Sequence, residues 1–179
     1  MSMPRSPARL PADFAAELGH AIAGFGFLEE ALKRAIFSLS LEGLGKKPDD
    51  RAVASFLQRM EDIADDTLGT LIDQFIKQAQ RRQARGRDKL ATELRRIRQN
   101  RNLLCHASWK PGAKDGHWHP SFLNTKGETF PDDLQASDIT AIREETLDVA
   151  ARIVSIMRAT GIEGEWVGND EDDAHQDRD

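Results

Sequence analysis

The densest run of chemically capable residues in the chain is Arg98-Gln99-Asn100-Arg101-Asn102-Leu103-Leu104-Cys105-His106-Ala107-Ser108-Trp109. Within it Arg101, polar Asn102 and His106 make an R-x4-H spacing, with the core-type Leu103 and Leu104 between. An imidazole titrates near neutrality and can take or give a proton, while a fixed guanidinium can stabilise charge developing on a phosphorane. Those two groups suit cleavage of RNA by its own 2'-hydroxyl, a reaction that needs no metal. On an ideal helix five residues turn through about 500°, which leaves Arg101 and His106 roughly 140° apart, whereas Asn102 and His106 are neighbours at i, i+4. Arg101 and His106 therefore converge only if the helix distorts at its end or if two chains juxtapose their motifs, and a dimeric site follows naturally. Asn102 would then orient the imidazole or a phosphate oxygen. In the plainer reading His106 caps the last carbonyls of the helix and Arg101 pairs with a carboxylate.

The charge around this string is uneven. The chain as a whole has 25 basic and 30 acidic residues, a net charge of -5, which argues against coating nucleic acid or an acidic membrane with its entire surface. Between Lys77 and Lys110, however, eleven basic residues face only Asp88 and Glu93, a local charge of +9 on a remainder of -14. Eight of the eleven are arginine, whose planar fork matches phosphate oxygens better than a lysine point charge does. Arg95, Arg98 and Lys110 are the backbone-holding candidates nearest the motif, and Trp109 is a candidate platform for a base. The same charges also fit a solvated face met by Glu61, Asp62, Asp65 and Asp66. The segment from Glu163 onward carries -7; it either keeps the chain soluble or folds back on the arginines as a mimic of a phosphate backbone.

Other reactive side chains offer less. Cys105, His106, His117 and His119 include metal-ligating types, but no recognised zinc spacing is present and adjacent Cys105 and His106 do not readily face one ion, so no metal or cofactor is expected. Cys105 is read as a buried packing residue rather than a nucleophile. Trp118, like Trp109, could stack on a base but more often such a ring fills the gap between a loop and a bundle. His20 reads as a polar-edge residue and His175 as part of the tail. Gly24-Phe25-Gly26 has neither the spacing nor the strand-to-helix setting of a phosphate-binding loop.

These residues must be positioned by helices. With 179 residues, 39% hydrophobic and 31% charged, the chain suits one compact domain over 13–162, flanked by a Pro- and Arg-bearing segment 1–12 and a disordered acidic tail 163–179. Apolar residues recur at helical spacing, in the first segment at steps of three, four and seven, which predicts four long helices over about 13–41, 51–78, 89–105 and 137–159. The first is interrupted by Gly24 and Gly26, where a kink or a close crossing is expected. Asp49 or Asp50 caps the second helix, whose stripe runs through Val53, Phe56, Leu57, Met60, Ile63, Leu68, Leu71, Ile72, Phe75 and Ile76. Ser137 caps the fourth, which carries Ile139, Ile142, Leu147, Ala150, Ile153, Ile156 and Met157 and stops at Gly161. Residues 110–136 hold an irregular loop with a short hairpin around Trp118 to Phe130. The expected fold is all-α, an up-and-down bundle of four long helices with that insertion between the third and fourth. A single cysteine, no signal-type segment and no run of roughly 20 apolar residues point to a cytoplasmic protein outside the membrane.

At Arg101, Asn102 and His106, at the end of a helix that follows two long amphipathic ones, the chain resembles the HEPN superfamily. These are small helical-bundle proteins with an R-x4-6-H signature and a polar residue, often Asn, directly after the Arg. The continuation Ala107-Ser108-Trp109 is similar to the small-x-Trp sequence of several bacterial branches. The likeness covers about 13–159 by pattern and some ten residues by motif. It implies a homodimer with a composite cleft, metal-independent endoribonuclease activity, and a toxin-antitoxin, phage-defence or RNA-processing role with a cognate antitoxin or nucleotidyltransferase as partner. The alternative is a non-catalytic helical dimer that uses the same groove for a nucleotide, a nucleic acid or a protein partner.

Overall fold

The computed structural model of the chain describes residues 9–44, 48–64, 66–81, 87–121, 130 and 132–160. Among them are five helices and one two-stranded sheet: α1 (Ala12–Gly43), α2 (Asp50–Ala64), α3 (Leu68–Arg81), α4 (Arg87–His106), β1 (Ser108–Pro111), β2 (Trp118–Ser121) and α5 (Ala136–Arg158). Most of the N-terminal segment, the cations Arg82 and Arg85, Phe122, the Gly161 stop and the acidic tail lie outside the described residues.

Helix α1 is the central element. Phe14, Phe25, Leu28, Leu32, Ile36 and Leu39 are all buried along one stripe, as their spacing predicts. The helix continues through Gly24 and Gly26. A methyl group on Gly24 would meet Arg143 Cγ at 3.8 Å and Leu147 Cδ2 at 3.9 Å, ordinary contact distances, and one on Gly26 would meet nothing within 4 Å. Helix α5 packs along α1 through Ile139, Val149, Ala150, Ile153 and Met157. Thr140 donates to Glu17 (2.9 Å) and the Gly24 position adjoins Leu147, so paired positions on the two helices rise together and the helices run parallel. Arg152 pairs with Glu93 at 2.7 Å and Arg96 pairs with Glu145, which sets α4 antiparallel to α5. In an up-and-down bundle of four, the first and last helices would be antiparallel; the simple up-and-down topology is therefore corrected.

The expected second helix is two helices. The backbone N–H of Asp66 bonds Ile63 O (3.2 Å) beyond the end of α2, and Thr67 starts α3, its carbonyl accepting from Leu71 (3.0 Å) and its hydroxyl from the N–H of Thr70 (3.4 Å). Side-chain oxygens at this point compete with the helix ladder, and the five-residue step from Ile63 to Leu68, about 140°, falls off the three-and-four spacing kept on either side. The split also changes burial. Among the described side chains of α2, Phe56 and Ile63 are buried, while Val53 and Leu57, expected on the core stripe, are 37% and 55% exposed. Leu147 of α5 is likewise exposed. At the start of α2, Asp49 accepts from the N–H of Ala52 at 2.7 Å, the cap anticipated there.

The hairpin begins earlier than expected, directly after α4. Strands β1 and β2 are antiparallel with Trp109 opposite Pro120 and Lys110 opposite His119. Gly116 turns the chain at φ 73°, a conformation glycine adopts without strain. Trp118 exchanges both backbone hydrogen bonds with Leu134 (2.7 and 2.8 Å), so the segment before α5 is tied to the sheet. The first turn of α5 is secured by Asp138, which accepts from the N–H of Gln135 at 2.8 Å; Ser137, expected as the cap, sits exposed inside that turn.

Candidate functional site

The C-terminal half of α4 carries the motif. Leu90, Leu94, Ile97 and Leu104 are buried, so the opposite side of the helix is presented to solvent. Arg95, Gln99, Asn102 and His106 fall at i, i+4, i+7 and i+11, a single row on that side. Arg95, Gln99 and His106 are exposed and Asn102 is half-buried. Arg95 and His106 make no ion pair or hydrogen bond among the described residues.

Arg101 lies off this row, on the flank that meets α1. Its guanidinium is 3.9 Å from Glu29 Oε1 with both side chains 30% exposed, and its Nη1 donates to Asn102 Oδ1 at 3.4 Å. The structure thus brings Arg101 to Asn102 and leaves Asn102 and His106 sharing a row. Helix α4 is regular through His106, and the N–H of Ala107 still bonds Leu103 O at 2.9 Å. No terminal distortion swings Arg101 toward His106 within one chain. Glu29 had no signal in the sequence, because only the packing of α1 against α4 places it beside the motif.

Cys105 is exposed, not buried as expected. Partial desolvation pushes its thiol pKa up, the negative charge of Glu29 adds to this, and the positive charge of Arg101 opposes it. The group is held as a neutral thiol, which is a poor nucleophile.

The other cations divide by partner. Arg98 lies over α3, its Cδ 3.3 Å from where a methyl on Gly69 would sit and its Nη1 3.5 Å from Asp73 Oδ2. Lys110 is exposed on β1. Arg96 is committed to Glu145 on α5. Trp109 is half-buried with its ring edge-on to Phe14 at 5.0 Å, and Trp118 is buried 6.0 Å from the same ring. Both tryptophans therefore wedge the hairpin onto α1, the gap-filling role, and Trp109 offers only part of its ring to a base.

His119, paired in the sequence with His117 as a candidate ligand set, instead contacts Asp133 Oδ1 at 2.9 Å, while His117 Nδ1 lies 3.1 Å from the Asp115 carbonyl oxygen. Asp133 also accepts from the N–H of Ala113 at 2.7 Å. That backbone bond first, and His119 second, lower the Asp133 pKa below the usual carboxylate range. Among the described residues no group of three or more His, Cys, Asp or Glu side chains is placed to hold a metal ion. Nor is any helix there long and apolar enough to cross a membrane.

The chain matches no protein-family model, no curated protein and no solved structure.

Proposed function

We propose that this chain is a HEPN-type helical protein that binds single-stranded RNA and cleaves it at a composite site made by two copies. The observation that carries the reading is the solvent-facing row Arg95, Gln99, Asn102 and His106 on α4, with the Arg101 guanidinium 3.4 Å from Asn102 Oδ1 at its edge. His106 takes the proton of the 2'-hydroxyl as the 2'-oxygen attacks phosphorus and the bond to the 5'-oxygen breaks. The imidazole then passes a proton to the departing 5'-oxygen, leaving a 2',3'-cyclic phosphate and a 5'-hydroxyl. Arg101 of the partner subunit stabilises the charge on the phosphoryl oxygens, and Asn102 orients. Arg95 and Lys110 hold the flanking backbone and a face of Trp109 borders it, while Arg98 is turned over α3 toward Asp73.

The second copy is part of the proposal for a geometric reason. Arg101 and His106 leave a regular helix about 140° apart, so one chain presents each group to a different side. Two copies related by a twofold axis can set Arg101 of one against His106 of the other. A cognate antitoxin or nucleotidyltransferase, a role in defence or RNA processing, and a reducing cytoplasmic setting belong to the same proposal.

Purified protein incubated with varied single-stranded RNAs in EDTA tests this. Cleavage to cyclic-phosphate ends is expected, and His106→Ala or Arg101→Ala should each reduce it at least about a hundredfold with the circular dichroism spectrum unchanged. The Glu29 contact favours a second reading, a non-catalytic dimer in which Arg101 is a structural cation. RNA bound but left uncut by wild-type protein, with Arg101→Ala lowering stability, would select it.

A further inference from the structure

Helices α2 and α3 both lean on α1 but scarcely touch each other, and the space between them is a cleft whose lining includes no residue of α4. It consists of two adjoining pockets of about 330 Å³ each that share Arg59, Gln78 and Arg81. Volumes of this order lie at the small end of ligand-binding cavities. The spacing explains the lining: Gln74, Lys77, Gln78 and Arg81 fall at i, i+3, i+4 and i+7 on α3, and Phe56, Arg59 and Ile63 recur at three and four on α2. Buried Leu39, Phe56 and Ile63 supply an apolar floor. Gln78 donates to Ser40 at 3.4 Å and fixes α3 to α1 within that lining.

Above the floor the cleft is cationic. Arg59, Lys77 and Arg81 are exposed and make no ion pair among the described residues. One acid, Asp62, also lines the cleft, and its carboxylate accepts from Gln58 at 3.4 Å. Three cations without an ion pair among the described residues, on two facing helices over an apolar floor, fit an anion with several oxygens that is attached to, or free of, a small apolar body.

We propose that this cleft binds a phosphate-bearing small molecule, with Arg59 on one wall and Lys77 and Arg81 on the other clamping the phosphate oxygens. The site is independent of the RNA reading: it shares no residue with the row on α4. Two sources offer this chemistry, a free polyphosphate and a nucleotide whose base would rest on the floor.

Isothermal titration of the full chain at low ionic strength, with inorganic pyrophosphate, AMP and ATP as probes, tests the proposal. Saturable binding of pyrophosphate or ATP at one molecule per chain is expected. Arg59→Ala and Arg81→Ala should each weaken it about tenfold, the loss of one charge-assisted contact, and the double variant should abolish it. Both side chains are exposed, so an unchanged melting temperature is the folding control, and Lys77→Gln supplies a second, milder variant. ATP binding more tightly than pyrophosphate assigns a nucleotide, and equal affinities assign a free polyphosphate. No saturable heat with any probe overturns the proposal, as does binding that survives in the double variant. His106→Ala should leave the titration unchanged, so its outcome is separate from that of the cleavage assay.

Discussion

At the residue scale, similar side chains in and around the motif have different tasks because of what each one meets. Arg95 points into solvent and is available to a phosphate, whereas Arg98 lies across α3 toward Asp73 and Arg101 is shared between Glu29 and Asn102. Arg95→Ala should therefore leave the melting temperature unchanged, weaken RNA binding, and reduce the slope of log affinity against log salt by about one. A filter-binding series at several salt concentrations reads both quantities. Trp109→Ala should cost about 2 kcal/mol of stability through its lost contact with Phe14, measurable by chemical denaturation. The R-x4-H spacing, Asn102 as its companion and the arginine-rich window were legible in the sequence. The exposure of Cys105 was not, because its position beside two buried leucines is that of a core residue and only the packed helix shows which way it faces.

Among the elements, the helices were legible where the apolar stripe is unbroken. Phe14 to Leu39 on α1 and Leu90 to Leu104 on α4 are buried as their periods require, and Asp49 caps α2. Periodicity misled across 51–78, because the three-and-four spacing on either side outweighs the single five-residue step, about 140°, from Ile63 to Leu68. It failed at the hairpin too, whose strands are only four residues each and whose stability comes from contacts distant in sequence. Those contacts center on Asp133. Its lowered pKa means that the latch is complete above the ordinary aspartate value of about 3.9 and is lost as pH falls through the depressed folded value. Amide chemical shifts of Ala113 and His119 followed through acid titration should report this release, and Asp133→Asn should remove most of the transition. Gly112→Ala belongs to the same latch: the added methyl would lie 2.7 Å from Asp133 Oδ2 and 2.9 Å from the His117 carbonyl. It should destabilise the protein by about 1–3 kcal/mol. Gly26→Ala, which meets open space on a continuous helix, should instead stabilise it by up to about 1 kcal/mol.

For the whole molecule, a net charge of -5 conceals two surfaces that present basic residues in different surroundings. One is the open row on α4, where Arg95 is the cation, and the other is the cleft between α2 and α3, so the single basic window is divided. The sequence shows the excess of arginine but not this division, because Arg59 joins Lys77 and Arg81 only through the packing of both helices on α1. The parallel course of α1 and α5 was equally hidden, since a sequence displays connections and not the faces that meet. The regular end of α4 makes the composite site a requirement of the proposed chemistry: His106 and Arg101 must come from different copies. The most direct test is complementation of RNA cleavage. Arg101→Ala and His106→Ala proteins, each inactive alone, are mixed under conditions that exchange subunits, and each mixed dimer then holds one site with both groups intact. Recovery of a substantial fraction of wild-type cleavage is predicted; a mixture as inactive as its components, beside wild-type protein that cuts the same RNA, would contradict the account.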